Sequence, residues 1–237
     1  MISMNNIQDN LIYFSGPHGS GKTSLIKALA NYGERIIIPE LYTRNLKFHT
    51  EVTYRKVLKT ASRAIENFEY LQLAKENPDK IILANRCIYD VLAYDKVFEE
   101  KGWITKDTFD LLKLTKAFFR YENEEPYAII VNPGFDTTWN HLHSRWNHST
   151  KKWNEDDIDY CKLACKSYEQ FKDSDKILYI DRELNLESKV ELESVHEWIL
   201  GRRQEYISTK EAEKSKEYAA IKETASIKEA TSVKEVA

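Results

Sequence analysis

The sequence predicts an α/β domain with a parallel sheet covered by helices on both faces. Two observations carry this. Five short apolar runs alternate with helical stretches, and a glycine-rich phosphate-binding motif sits between the first run and the first helix. The chain has 237 residues, 42% of them hydrophobic and 12% aromatic. That is enough for one α/β core plus an appendage.

The strand signals are Leu11–Ser15, Arg35–Pro39, Lys80–Ala84, Tyr127–Val131 and Lys176–Ile180. Most lack polar alternation, as strands buried on both faces do. Helical stretches are expected at Thr23–Asn31, Glu51–Asn77, Tyr89–Glu100, Lys106–Tyr121, Glu155–Phe171 and Leu186–Leu200. In Glu51–Asn77 the apolar residues Ala61, Ala64, Ile65, Phe68 and Leu71 recur at helical spacing. Strands alternating with helices argue for a parallel sheet. The pattern breaks at 133–153, a stretch rich in Trp, His, Asn and Thr that reads as an irregular lid or binding loop. The main domain is placed at 8–203. Residues 204–237 form a low-complexity tail with Lys-Glu pairs every six residues, from Lys210-Glu211 to Lys234-Glu235. Six residues turn an α-helix by about 600°, so Ile221, Ile227 and Val233 spiral around it instead of forming a stripe. The tail reads as a solvated extension, helical or disordered.

The motif is Gly16-Pro17-His18-Gly19-Ser20-Gly21-Lys22-Thr23, a complete G-x-x-x-x-G-K-T P-loop. Its glycines allow backbone angles that turn successive N–H groups toward phosphate oxygens. Lys22 brings positive charge to the β- and γ-phosphates, and the Thr23 hydroxyl can ligate Mg²⁺. Together with Ser24 at the start of the helix, residues 16–24 make the expected nucleotide cradle.

Ligands of open α/β sheets bind beyond the carboxyl ends of the strands. Polar groups gather there: Glu40 and Arg44 after the second strand, Asn85, Arg86 and Asp90 after the third, Asn132 after the fourth, Asp181 and Arg182 after the fifth. Phosphoryl transfer needs positioning and positive charge around the moving group. Lys22, Arg86 and Arg145 are candidates for that charge, and Glu40 for orienting or deprotonating an acceptor. Glu40, Arg44, Arg86 and Asp90 are the candidate acceptor-binding residues. Asp136 is a further candidate for substrate or lid contacts, and Asp181-Arg182 for the loop near the base. His141, His143 and His148 lie close in sequence to Cys161 and Cys165 but lack close C-x-x-C spacing, so a polar lid and a helix burying two cysteines are favoured over zinc. Trp139, Trp146 and Trp153 are read as pinning the lid segment more than as stacking on a base.

On these residues the chain resembles the P-loop nucleoside and nucleotide kinases, closest to the ribosylnicotinamide-kinase-type AAA domain. The resemblance rests on Gly16–Thr23, on Glu40 followed by Arg44, and on Asn85-Arg86 followed by Asp90 and Ala93-Tyr94. It covers about residues 10–200. It implies the P-loop NTPase fold with strand order 2-3-1-4-5, and ATP-dependent phosphoryl transfer to a nucleoside-like or nucleotide-like acceptor with Mg²⁺ at Thr23. Asn85 departs from the pattern, because relatives carry an acid there. That leaves a second reading, a nucleotide-binding regulatory module without efficient transfer.

Composition bounds the partners. The net charge is −3, which offers no bulk attraction to nucleic acid. No apolar run approaches the length of a membrane span, and the N-terminus does not read as a secretory signal. Three cysteines, few and odd in number, suit a reducing cytoplasm. The expected partners are ATP and a small-molecule acceptor, with no nucleic acid or membrane. A homodimer is left open.

Overall fold

The computed structural model describes residues 10–32, 36–39, 51–105, 107–108, 126–149, 151 and 154–204, with 208, 212, 215 and 216. Five parallel strands form one sheet in the order β2-β3-β1-β4-β5. They are β1 (Leu11–Ser15), β2 (Ile36–Ile37), β3 (Ile81–Asn85), β4 (Ala128–Val131) and β5 (Ile177–Ile180). β1 lies at the centre, with Phe14 opposite Asn85 of β3 and Ile129 of β4. All five β1 residues are buried, so the strand reads as a continuous apolar run.

The helices include α1 (Lys22–Tyr32), α2 (Val52–Glu76), α3 (Ile88–Glu100), α4 (Phe135–Trp146) and α5 (Ile158–Tyr168), the last followed by a 3₁₀ turn, Glu169–Phe171, and residues 189–196, within the expected helix Leu186–Leu200, are helical too. Tyr70 and Ala74 of α2, Tyr89 and Ala93 of α3 and Tyr168 of α5 pack with Tyr13, Ile82 and Ile130 of the sheet in one apolar cluster. The alternate strand residues Ile12, Phe14, Leu83 and Ile129 are also fully buried. α1 packs against β1, β2 and β3.

Local chemistry accounts for the helix ends. The Glu51 carboxylate caps α2 by accepting from the N–H groups of Thr53 and Tyr54, both at 2.9 Å. Asn10, just ahead of β1, donates its amide to the carbonyls of Ala74, Asn77 and Lys80. That ties the end of α2 to the entrance of the central strand. Asp157 caps α5 through the Tyr160 N–H at 2.9 Å.

The segment expected to be an irregular loop is mostly helix. Within 133–153, residues Phe135–Trp146 form α4. The reason lies in their spacing. Phe135, Trp139, Leu142 and Trp146 fall at i, i+4, i+7 and i+11, an apolar stripe hidden among polar neighbours. Phe135, Leu142, Trp139 and Trp146 pack with Val97, Phe98, Tyr160 and Ala164. Trp153 lies outside the described residues, as does most of the expected helix Lys106–Tyr121.

The chain divides into two compact units, residues 1–196 and 197–237. The second is helical over 197–204, and most of the Lys-Glu repeat lies outside the described residues. Among the described residues, no helix is long and apolar enough to cross a membrane.

Candidate functional site

A cleft of about 1120 Å³ opens at the carboxyl ends of the strands. Its floor is the P-loop between β1 and α1. Gly16, Gly19 and Gly21 all have positive φ, the conformation that turns main-chain N–H groups inward. A side chain at Gly16 would place its Cβ 2.1 Å from the Val131 carbonyl oxygen, and one at Gly19 would meet the Thr138 carbonyl oxygen at 2.8 Å. The loop therefore runs against the end of β4 and the first turns of α4.

Lys22 is buried under the loop. Its ammonium donates to the carbonyls of Gly16 at 2.7 Å and Pro17 at 2.6 Å, and to the Ser20 hydroxyl at 3.1 Å. Thr23 and Ser24, at the start of α1, are exposed and line the cleft.

Arg86 stands at the junction of β3 and α3 with φ 80°, outside the usual range for a residue with a side chain. Its guanidinium donates to the Gly16 carbonyl at 3.0 Å and to Asp90, and lies over the Tyr94 ring at 5.7 Å. Asp90 is buried and accepts from four donors: Arg86, the Ser15 hydroxyl, the Cys87 N–H and the Tyr168 hydroxyl. Burial alone would raise its pKa. The positive charges of Arg86 and Lys22, with the Ser15 and Tyr168 hydrogen bonds, outweigh that and hold it below the usual carboxylate range. Asp90 lines the cleft, yet its lone pairs are engaged in fixing Arg86 and the start of α3.

The other wall comes from α4 and the loop after it. Glu155 is completely buried and forms ion pairs with Arg145 at 2.5 Å and with His18 of the P-loop at 3.0 Å. Burial lowers the His18 pKa to about 4, and Arg86 and Lys22 add to the shift against the pull of Glu155. His18 is therefore neutral near pH 7, with Nδ1–H donating to the carboxylate. His141 of α4 bonds the Gly19 carbonyl at 2.9 Å and Glu183 at 2.8 Å. Arg145 thus stands beside the P-loop, held by a carboxylate.

The structure brings together residues 18–24, Arg86, Asp90 and Arg145 around one cleft. Glu40 and Arg44 lie outside the described residues. Asp136 is exposed in the first turn of α4 and does not line the cleft. Asp181 and Arg182 pair with Lys172 and Glu191 at the surface, while Glu183, Leu184 and Leu186 reach the cleft. Cys161 and Cys165 are buried thiols in α5. Among the described residues, no group of three or more His, Cys, Asp or Glu is arranged to hold a metal ion.

Two features were missed from sequence. Glu155 gave no local signal, because its partner His18 is 137 residues away. Arg55, Lys59 and Arg63 of α2 also line the cleft. Their four-residue spacing on a predicted helix was a readable signal.

Oxygen donors for a hard cation are present. The Thr23 hydroxyl is exposed at the cleft, and Asn85 Oδ1 is a buried acceptor without a hydrogen-bond partner in the same cleft lining. These fit Mg²⁺, although the amide lacks the charge of an acid.

Solved structures with this fold include deoxyadenosine kinase from M. mycoides. With bound dATP it is 16% identical and covers 79% of this chain and 98% of its own, with a TM-score of 0.61. With dCMP and a flexible dCDP bound it is 14% identical and covers 81% and 99%, with a TM-score of 0.57. No curated protein matches this sequence. The match of the AAA domain family model runs from residue 11 at the head of β1 through residue 231. With its P-loop, central strand and cleft inside that span, the chain belongs to the AAA domain family.

Proposed function

We propose that this protein transfers the γ-phosphoryl group of ATP to a nucleoside-like or nucleotide-like small molecule. The carrying observation is the P-loop cradle set in a cleft with Arg86 on one side and Arg145 on the other. A nucleotide site alone needs only the cradle. Positive groups converging from α3 and α4 suit charge that moves from donor to acceptor. The cleft volume also exceeds that of a typical single-ligand pocket, so donor and acceptor have room together.

In this reading the main-chain N–H groups of residues 16–24 hold the triphosphate. Lys22 exchanges its loop carbonyls for phosphate oxygens. An acceptor oxygen attacks the γ-phosphorus, and the bond to the β,γ-bridging oxygen breaks. Arg86 is held at the cleft floor by Asp90, and Arg145 is aimed by Glu155. Glu40 would orient or deprotonate the acceptor, and Arg44 would bind it. Thr23 and Asn85 would hold Mg²⁺, which supplies positive charge to the β- and γ-oxygens. Deoxyadenosine kinases share the fold and, in their solved structures, hold dATP or dCMP, which supports the nucleoside-type acceptor. The main domain is assigned to 8–203, and a cytoplasmic setting fits the three free, buried thiols.

The test is ADP release from Mg·ATP against a panel of nucleosides, nucleoside monophosphates and ribosylnicotinamide. Acceptor-dependent release that falls about 10²–10³-fold in Lys22→Ala is expected. Tight ATP binding without acceptor-dependent release would overturn it in favour of a regulatory module. Asn85 motivates that second reading, and Asn85→Asp would then be the variant that restores turnover.

A further inference from the structure

Within residues 16–24 only His18 carries a side chain that ordinarily titrates near neutrality. Its ring lines the cleft, with 28% of the side chain accessible. One ring nitrogen is engaged. Nδ1 lies 3.0 Å from Oε1 of Glu155, a completely buried carboxylate that also pairs with Arg145. A carboxylate paired with an arginine is ionised and can only accept, so Nδ1 carries the proton. A neutral imidazole has a single N–H, which leaves the lone pair on Nε2. Among the described residues no hydrogen bond reaches that nitrogen. Burial, with the charges of Arg86 and Lys22, keeps the ring neutral near pH 7 and the lone pair available. Glu155 and His18 thus form a carboxylate–imidazole pair. The carboxylate fixes the tautomer and would stabilise an imidazolium formed at Nε2.

The surroundings say what that lone pair meets. The His18 ring stands edge-on to Tyr94, with ring centroids 5.6 Å apart, and the Arg86 guanidinium lies over the same Tyr94 ring at 5.7 Å. Arg145 is on the far side of Glu155. An accepting nitrogen therefore sits among Lys22, Arg86 and Arg145, the three cations assigned to the moving phosphoryl group. A phosphate oxygen is itself an acceptor and finds no donor at Nε2. A hydroxyl group does find a partner there. A mere latch between the P-loop and α4 needs only Nδ1, and nothing in it calls for the ring to line the cleft.

We propose that His18, held by Glu155, is a catalytic base: its Nε2 takes the proton of an acceptor hydroxyl as that oxygen attacks the γ-phosphorus. This rests on the kinase reading above and narrows its acceptor to a hydroxyl, because a phosphate acceptor is already largely ionised at pH 7. In the step, the acceptor O–H bond breaks and its proton passes to Nε2. The oxygen forms a bond to the γ-phosphorus, and the bond to the β,γ-bridging oxygen breaks with its electron pair left on ADP. The imidazolium is balanced by the Glu155 carboxylate until it returns the proton to water. Glu40 is left to orient the hydroxyl.

The test compares the full chain with His18→Asn, His18→Ala and Glu40→Gln. Asparagine keeps a donor for Glu155 and lacks the distal nitrogen. Calorimetric titration with a non-hydrolysable ATP analogue reads the cradle, and ADP release from Mg·ATP at saturating nucleoside reads the step. His18→Asn should lower kcat about 10²-fold, with analogue affinity and acceptor KM kept within about 3-fold. Added imidazole should restore part of the turnover of His18→Ala and none of that of Glu40→Gln. A His18→Asn kcat within about 3-fold of the parent would overturn the assignment. So would a fall in analogue affinity that matches the fall in kcat, or the absence of imidazole rescue. ADP release with monophosphates alone would sink the base and leave the kinase reading standing. No release by the parent chain with either class of acceptor would sink the kinase reading, and the base with it.

Discussion

The two sides of the cleft are built on opposite principles. At the P-loop end the charged groups are matched within the protein. Lys22 is held by two carbonyls and a hydroxyl, Arg86 by Asp90, and Arg145 and His18 by Glu155. On the α2 wall Arg63 is paired with Glu66, and Arg63 and Arg55 press on the half-buried Lys59 as like charges. The first side is preorganised, with its dipoles and charges fixed before a ligand arrives. The second sets like charges side by side around Lys59. Perturbing the first should therefore cost stability and chemistry together, whereas removing the Lys59 charge from the second should cost little stability.

The hardest blow to that contrast is Arg86→Ala. It leaves Asp90 charged and buried without its cation, an arrangement that costs about 3–5 kcal/mol. Denaturant unfolding should show that loss. Asp90→Asn in the same chain should recover part of it, because the stranded charge is then gone. A loss under 1 kcal/mol for Arg86→Ala would mean that the P-loop end is not preorganised as described.

Glu155→Gln comes next. The carboxylate is fully buried and serves both Arg145 and His18, so its removal should cost about 1–3 kcal/mol by the same measurement. It should also lower acceptor-dependent ADP release more than Arg55→Gln lowers it at saturating acceptor. Equal effects on turnover would erase the distinction between the two sides.

A pH experiment probes His18 separately. Its folded pKa of about 4 lies below the ordinary value of 6.5. Between those values the unfolded chain binds the proton and the folded chain does not, so stability falls as pH drops from about 6.5 to 4. Asp90, held below the usual carboxylate value, loses its contribution at still lower pH. His18→Asn should flatten the upper part of the acid limb and leave the lower part. An unchanged limb would contradict the neutral imidazole.

The smallest effect belongs to Lys59→Gln. Because burial and its neighbours disfavour the charged ammonium, removing it should leave stability within about 0.5 kcal/mol, or raise it slightly. A loss above 1 kcal/mol would contradict the like-charge crowding at Lys59.

Legibility in the sequence followed the distance over which each feature is encoded. β1 was expected at its observed bounds, and α2 was expected to within a residue at each end, because Glu51 and Asn77 mark both caps. α4 was misread as a loop. Its stripe of Phe135, Trp139, Leu142 and Trp146 is broken up by Asp, Asn, His and Ser, and only packing against α3 and α5 shows which face is apolar. The four-residue spacing of Arg55, Lys59 and Arg63 was readable, but their place in the cleft was not. A stripe of cations on a helix is ordinarily a solvated face, and nothing local says that this one meets the cleft.

What the sequence alone determined is whatever a few adjacent residues can enforce: the P-loop, the burial of the strands and the caps of α2. Backbone angles, apolar runs and caps are set by neighbours along the chain. Only the tertiary structure decided the electrostatics of the cleft. Glu155 reaches His18 across 137 residues, and Tyr168 reaches Asp90 across 78. Charge acts through space, with a strength set by burial and distance, so the partners that aim Arg145 and fix Asp90 exist only once the sheet has brought them together.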